Sequence, residues 1–102
     1  MSVNCLEDGQ VLTAQIMGEV DHHAARGLME ELSRQIDGVL PRELKLDLGG
    51  VTFMDSSGIA VVLRSWKRMS QIGGATTLCG VPPQSAKVLR AAGVDKLIHF
   101  TD

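Results

Sequence analysis

The spacing of apolar residues switches between two periods several times along this chain, and that switching restricts the fold more than any other feature. In Val11 to Met17, and again at Leu44, Leu46 and Leu48, apolar residues fall at alternate positions, with Lys45 and Asp47 between the leucines. A period of two lines one face of a β-strand. Ala25, Leu28, Met29, Leu32, Ile36 and Val39 instead follow helical spacing, as do Ile59, Val62, Leu63, Trp66, Met69 and Ile72. Each set forms an apolar stripe along a helix, and Arg64, Lys67 and Arg68 fall largely on the opposite side of the second one.

Punctuation residues divide these runs. Glu7-Asp8-Gly9-Gln10 carries an Asp-Gly turn signal, so the chain is expected to begin with a hairpin. Asp21 is a candidate cap for the first helix, with Gly38 and Pro41 marking its end, and Gly73-Gly74 stops the second. Pro83 opens a third helix through Val88 and Leu89, closed by Ala91-Ala92-Gly93. Val51 and Phe53 prolong the central strand, while Thr76 to Cys79 and Leu97 to Phe100 supply two short strands. The order strand, strand, helix, strand, helix, strand, helix, strand predicts an α/β fold, an α+β-like mixed sheet of about five strands with helices mainly on one face. The other face is then free to receive a partner.

The 102 residues, 44% of them hydrophobic, fit one domain with one core. Ten basic against twelve acidic residues give a net charge of −2, which offers no footprint for a nucleic-acid backbone. One Trp, two Phe and no Tyr leave little for stacking on bases. No apolar run approaches the ~20 residues of a membrane helix, and Met1-Ser2-Val3-Asn4 lacks the regions of a signal peptide. The chain therefore reads as cytoplasmic, without membrane or nucleic-acid partners. Cys5 and Cys79 lie far apart without a CxxC or paired His, so both read as reduced, packed thiols.

Chemistry concentrates in Asp55-Ser56-Ser57-Gly58, between the central strand and the second helix. Backbone N–H groups at a helix start lack intrahelical acceptors and carry the positive end of the helix dipole. A serine there caps the helix or, once phosphorylated, presents a phosphate to it. Ser57 reads as a cap or a second acceptor. Asp55 orients the Ser56 hydroxyl or accepts from backbone donors. Gly58 allows a close approach early in the helix. His22 and His23 are adjacent, so on a helix they point about 100° apart and do not form an i, i+4 metal pair; no metal site is expected.

Gly18-Glu19-Val20-Asp21-His22-His23 after the second strand, together with Phe53-Met54-Asp55-Ser56-Ser57-Gly58-Ile59 before the central helix, resembles the STAS domain family. The likeness is narrowest to the bacterial anti-sigma factor antagonists of the sporulation type. It extends through Gly73-Gly74 and the ending from Ala92-Gly93-Val94 to Ile98. Members usually carry a further C-terminal helix, whereas this chain stops at Thr101-Asp102. The resemblance implies that Ser56 is phosphorylated by a cognate anti-sigma factor that is itself an ATP-dependent serine kinase. It implies that the unphosphorylated form captures that factor and releases a sigma factor, and that a metal-dependent serine phosphatase resets the cycle. Glu19, Asp21, His22, His23, Met54, Asp55, Ser57, Gly58 and Ile59 are the expected partner contacts. The protein would then be a substrate and ligand, not an enzyme, with no cofactor beyond the ATP its partner supplies, and a monomer or weak dimer.

Two other readings compete. A hydrolase would use Ser56 as nucleophile with His22, His23 or His99, but Asp-Ser-Ser-Gly lacks the Gly-x-Ser-x-Gly elbow, and no phosphate-cradling glycine motif is present. The nearer alternative is a phosphorylation-independent STAS module of a transporter or stress-signalling complex.

Overall fold

The structure, a computed structural model, describes residues 1–101. Its elements are β1 (Ser2–Asp8), β2 (Val11–Val20), α1 (His22–Val39), β3 (Glu43–Met54), α2 (Ser57–Gln71), β4 (Ala75–Cys79), α3 (Pro83–Ala91), a 3₁₀ turn (Val94–Lys96) and β5 (His99–Thr101). One sheet runs in the order β1-β2-β3-β4-β5. β1 is antiparallel to β2, and the remaining neighbours are parallel. The β1–β2 hairpin closes over Gly9-Gln10, with Gly9 at φ 61°, a left-handed conformation that glycine adopts without steric cost.

Alternation decides which face is covered. Leu12, Ala14, Ile16, Leu44, Leu46, Leu48 and Leu78 are buried in one core with Leu28, Leu32 and Ile36 of α1, Val61, Val62 and Met69 of α2, and Leu89 of α3. Their strand neighbours Thr13, Gln15, Lys45 and Thr77 are half-buried or exposed on the opposite, open face. Sequential crossovers of the usual right hand place successive helices on one side of such a sheet, so the expected one-sided layering follows.

Three expectations need adjustment. α1 continues through Gly38, and Leu40 adopts the left-handed closing conformation, φ 50°, donating its N–H to the Ile36 carbonyl at 2.8 Å. Pro41, which has no N–H to extend the ladder, is what stops it. Phe53 prolongs β3 but is exposed at 44%, because the β3 alternation resets twice: Leu48 and Val51 are both buried although three residues apart, and so are Val51 and Met54. The last strand is shifted, since Val94–Lys96 forms a 3₁₀ turn that buries Val94 and Ile98 and leaves Leu97 exposed.

Two irregularities in β3 position the site. Pairing with β2 shifts between Gln15↔Asp47 and Met17↔Gly50, and again between Gly18↔Val51 and Glu19↔Phe53. Each extra residue on β3 is a local bulge. Their sum brings Val20 beside Met54, so that β2 and β3 end together and α1 and α2 begin side by side.

Candidate functional site

At this paired start, two carboxylates hold the free backbone donors. Asp21 caps α1, its Oδ1 accepting from the N–H of His23 and of Ala24, each at 3.0 Å. Asp55 reaches both helices: Oδ1 accepts from the Ser57 N–H at 2.8 Å and Oδ2 from the His22 N–H at 3.1 Å. The Asp55 N–H in turn donates to the Val20 carbonyl at 3.3 Å. One side chain thus ties the first turn of α2 to the first residue of α1, a link between segments 33 residues apart in sequence.

Ser56 occupies the residue before α2, already in helical conformation (φ −61°, ψ −19°), and its hydroxyl makes no capping bond. The expected serine cap is therefore corrected at both serines. Asp55, one residue earlier, takes the Ser57 N–H, because a carboxylate is the stronger acceptor and reaches the donor from the extended end of β3. Ser57 donates to that cap as the first helical residue. What remains at Ser56 is an exposed hydroxyl with no hydrogen-bond partner among the described residues.

The other expected contacts separate by burial. Glu19, His22 and His23 are exposed, Asp21, Asp55, Ser57 and Ile59 are half-buried, and Met54 and Gly58 are buried. Met54, at 1% exposure, and Gly58 support the surface rather than form it. A Cβ on Gly58 would sit within 3.0 Å of Met54 Cγ, Sδ and Cε, which explains the glycine as a close approach between α2 and the end of β3. Glu19 pairs with Phe53 and so stands one strand away from the motif. The His22 and His23 rings meet edge to face at 5.7 Å. His99 lies on β5, two strands from β3 at the sheet edge.

The Ser57 backbone N–H, helped by the Ser57 hydroxyl and by the N–H and charge of His22, holds the Asp55 carboxyl below its ordinary 3.8, against an opposing contribution from desolvation. A carboxylate with a lowered folded-state pKa stabilises the fold above its unfolded value and loses that contribution as pH falls through the folded value. The Asp55 tie is therefore expected to be intact above about pH 4 and to loosen below it. In an NMR pH titration the Ser57 and His22 amides should move together, with a midpoint under that of an unperturbed aspartate; independent midpoints would contradict a shared carboxylate.

Sequence reasoning missed Gln84. Its Nε2 donates to the Met54 carbonyl at 2.7 Å, and its Oε1 accepts from the Met54 N–H at 2.9 Å. The signal was absent because a lone Gln in the first turn of a helix is ordinary. A groove of about 630 Å³ between α1 and α2, lined by Ser33, Asp37, Arg64, Lys67 and Arg68, contains no residue of the Asp55–Ser57 turn.

This arrangement, an exposed hydroxyl in a carboxylate-rich rim rather than in a cavity, suits a macromolecular contact. The STAS domain family model matches residues 2–102. The chain belongs to the STAS domain family. It is 32% identical over 92 residues, 90% of this chain and 79% of the relative, to the anti-sigma F factor antagonist of Paenibacillus polymyxa. Its fold matches that of the anti-sigma factor antagonist SpoIIAA in its unphosphorylated form, with a TM-score of 0.84, 22% identity and coverage of 99% of this chain and 89% of that one. The phosphorylated form of the Bacillus cell fate determinant SpoIIAA matches with a TM-score of 0.76 over 99% and 92% of the two chains, also at 22% identity. No helix among the described residues of this STAS domain is long and apolar enough to cross a membrane.

Proposed function

We propose that this STAS domain is an anti-sigma factor antagonist whose unphosphorylated form binds an anti-sigma factor that is also an ATP-dependent serine kinase, freeing a sigma factor, and that phosphorylation of Ser56 ends the binding. The observation that carries this reading is the exposed, unbonded Ser56 hydroxyl beside two helix N-termini whose nearest donors are already satisfied by Asp21 and Asp55. A nucleophilic hydroxyl that caps nothing is free to enter a kinase site. In-line transfer needs the reacting atoms about 3–3.5 Å apart, so the acceptor must project from its own surface, as Ser56 does.

The residues around it divide the work. Glu19, Asp21, His22, His23, Ser57 and Ile59 meet the partner, Asp55 holds the turn, and Met54 and Gly58 support it from below. The domain acts as substrate and ligand; the kinase brings the ATP, and a serine phosphatase removes the phosphate. The setting is the cytoplasm, and the free protein is a monomer or weak dimer. The homologous anti-sigma F factor antagonist supports the partner class.

The test is intact-protein and peptide mass spectrometry after incubation with ATP and the candidate anti-sigma kinase, comparing wild type with Ser56→Ala. One phosphate on Ser56, absent from the variant, is expected. No incorporation with a kinase proven active would move the reading to a phosphorylation-independent STAS module in a transporter or stress-signalling complex.

A further inference from the structure

We propose that Gln84 is a positioning residue of the Ser56 turn: carried on α3, it holds the end of β3 in register where the sheet no longer can. The β3–β4 ladder runs only from Glu43↔Ala75 to Asp47↔Cys79, so β3 continues seven residues to Met54 without a strand on that side. On the other side Val20 pairs with Met54, and the Asp55 N–H is bonded to the Val20 carbonyl. The Met54 N–H and carbonyl face away from β2, and the Gln84 amide satisfies both, as an adjacent strand would.

The arm that holds Gln84 is stiff. Pro82 (φ −65°, ψ 156°) caps α3 and Pro83 is its first residue, with the Ala86 N–H returning to the Pro82 carbonyl at 2.8 Å. Tandem prolines limit the backbone torsions immediately before Gln84. Two residues beyond Met54 stands Ser56, and Asp55 between them anchors both helices, so a tilt at Met54 reorients the whole rim. This role deepens the phosphoswitch reading and rests on it for its consequence, although the clamp itself is a property of the isolated domain.

Gln84→Met keeps the length and packing of the side chain and removes both hydrogen bonds; Gln84→Glu keeps the acceptor and loses the donor. Gln84 is solvent-exposed, so both variants are expected to fold. In Gln84→Met, amide exchange at Met54 should accelerate about tenfold, the scale of two partly exposed hydrogen bonds. With the anti-sigma kinase and ATP, KM for this variant should rise, by up to a similar factor where the open turn becomes the major form, while kcat stays near wild type, because a smaller fraction of free molecules presents the competent turn. Gln84→Glu should lose at least as much, because it sets a carboxylate oxygen against the Met54 carbonyl in place of the donor. Wild-type exchange and KM in Gln84→Met would overturn the proposal, and so would faster exchange with unchanged KM, which reduces the clamp to a structural contact. Should the kinase fail to modify even the wild type, the switch reading falls, and the exchange measurement alone then decides whether Gln84 holds the turn.

Discussion

Phosphorylation of Ser56 is expected to weaken binding of the anti-sigma factor by about two orders of magnitude while leaving the melting temperature of the free domain nearly unchanged. The new group carries about 1.5 to 2 negative charges. It stands next to Asp55, and the carboxylates of Asp55 and Asp21 already occupy the Ser57, His22, His23 and Ala24 amides. The helix ends therefore have few free donors to offer it. In the free protein water screens the repulsion: unit charges ~4 Å apart cost about 1 kcal/mol at the dielectric of water. Docking a partner removes that water, and the same pair costs about 4 kcal/mol at an effective dielectric near 20. The difference of roughly 3 kcal/mol falls on the complex alone and corresponds to a factor of about 10² in affinity. Calorimetric titration of both forms against the anti-sigma factor reads it directly, and equal affinities would remove the switch. Ser56→Ala supplies the stability control: a lost cap would cost about 1 kcal/mol, or roughly 4–8 °C in a domain of this size, whereas no measurable change is expected here.

The contrast between Ser56 and Asp55 also shows where sequence reasoning stops. Strands, helices and their order were legible because each buries its apolar residues with a distinct period, as Leu44-Leu46-Leu48 and Leu28-Leu32-Ile36 do. The Asp21 cap was legible because a short acceptor before a helix has one dominant use. Assigning the second cap required knowing that β2 and β3 end level, and that depends on the two bulges near Gly49-Gly50 and Thr52. Alternation counted on from Leu44, Leu46 and Leu48 carries Thr52 inward and Val51 outward; the two bulges reverse both, leaving Val51 buried, Thr52 exposed and Phe53 44% exposed beside Glu19. Gln84 was the least legible, because its function depends on β4 stopping at Cys79 while β3 runs on to Met54. Local pattern thus specified the elements and where the candidate site lies between β3 and α2. Its hydrogen-bond roles came from register between distant segments.

Replacing Gly58 should disturb this site through its foundation. Alanine at a helical position is favoured over glycine by about 1 kcal/mol, so in open solvent Gly58→Ala would stabilise α2. Gly58 is buried against Met54, itself only 1% exposed, and overpacking a filled core costs about 1–3 kcal/mol. The two effects oppose, and a net loss of about 1–2 kcal/mol is expected for alanine because the methyl meets three Met54 atoms at once. Gly58→Val adds β-branching within the same space and should lose at least ~3 kcal/mol, a fall in melting temperature beyond about 12 °C. Chemical denaturation measures both. The decisive comparison is a double-mutant cycle with Met54→Ala, which vacates the volume the new Cβ needs. Residues in direct contact couple by about 0.5–3 kcal/mol, so Gly58→Ala should cost much less in that background. Additive losses would mean that the glycine serves some purpose other than close approach to Met54. With coupling, partner affinity should fall further in Gly58→Ala than stability does, because displacing Met54 moves the backbone that Gln84 holds and from which Asp55 and Ser56 project.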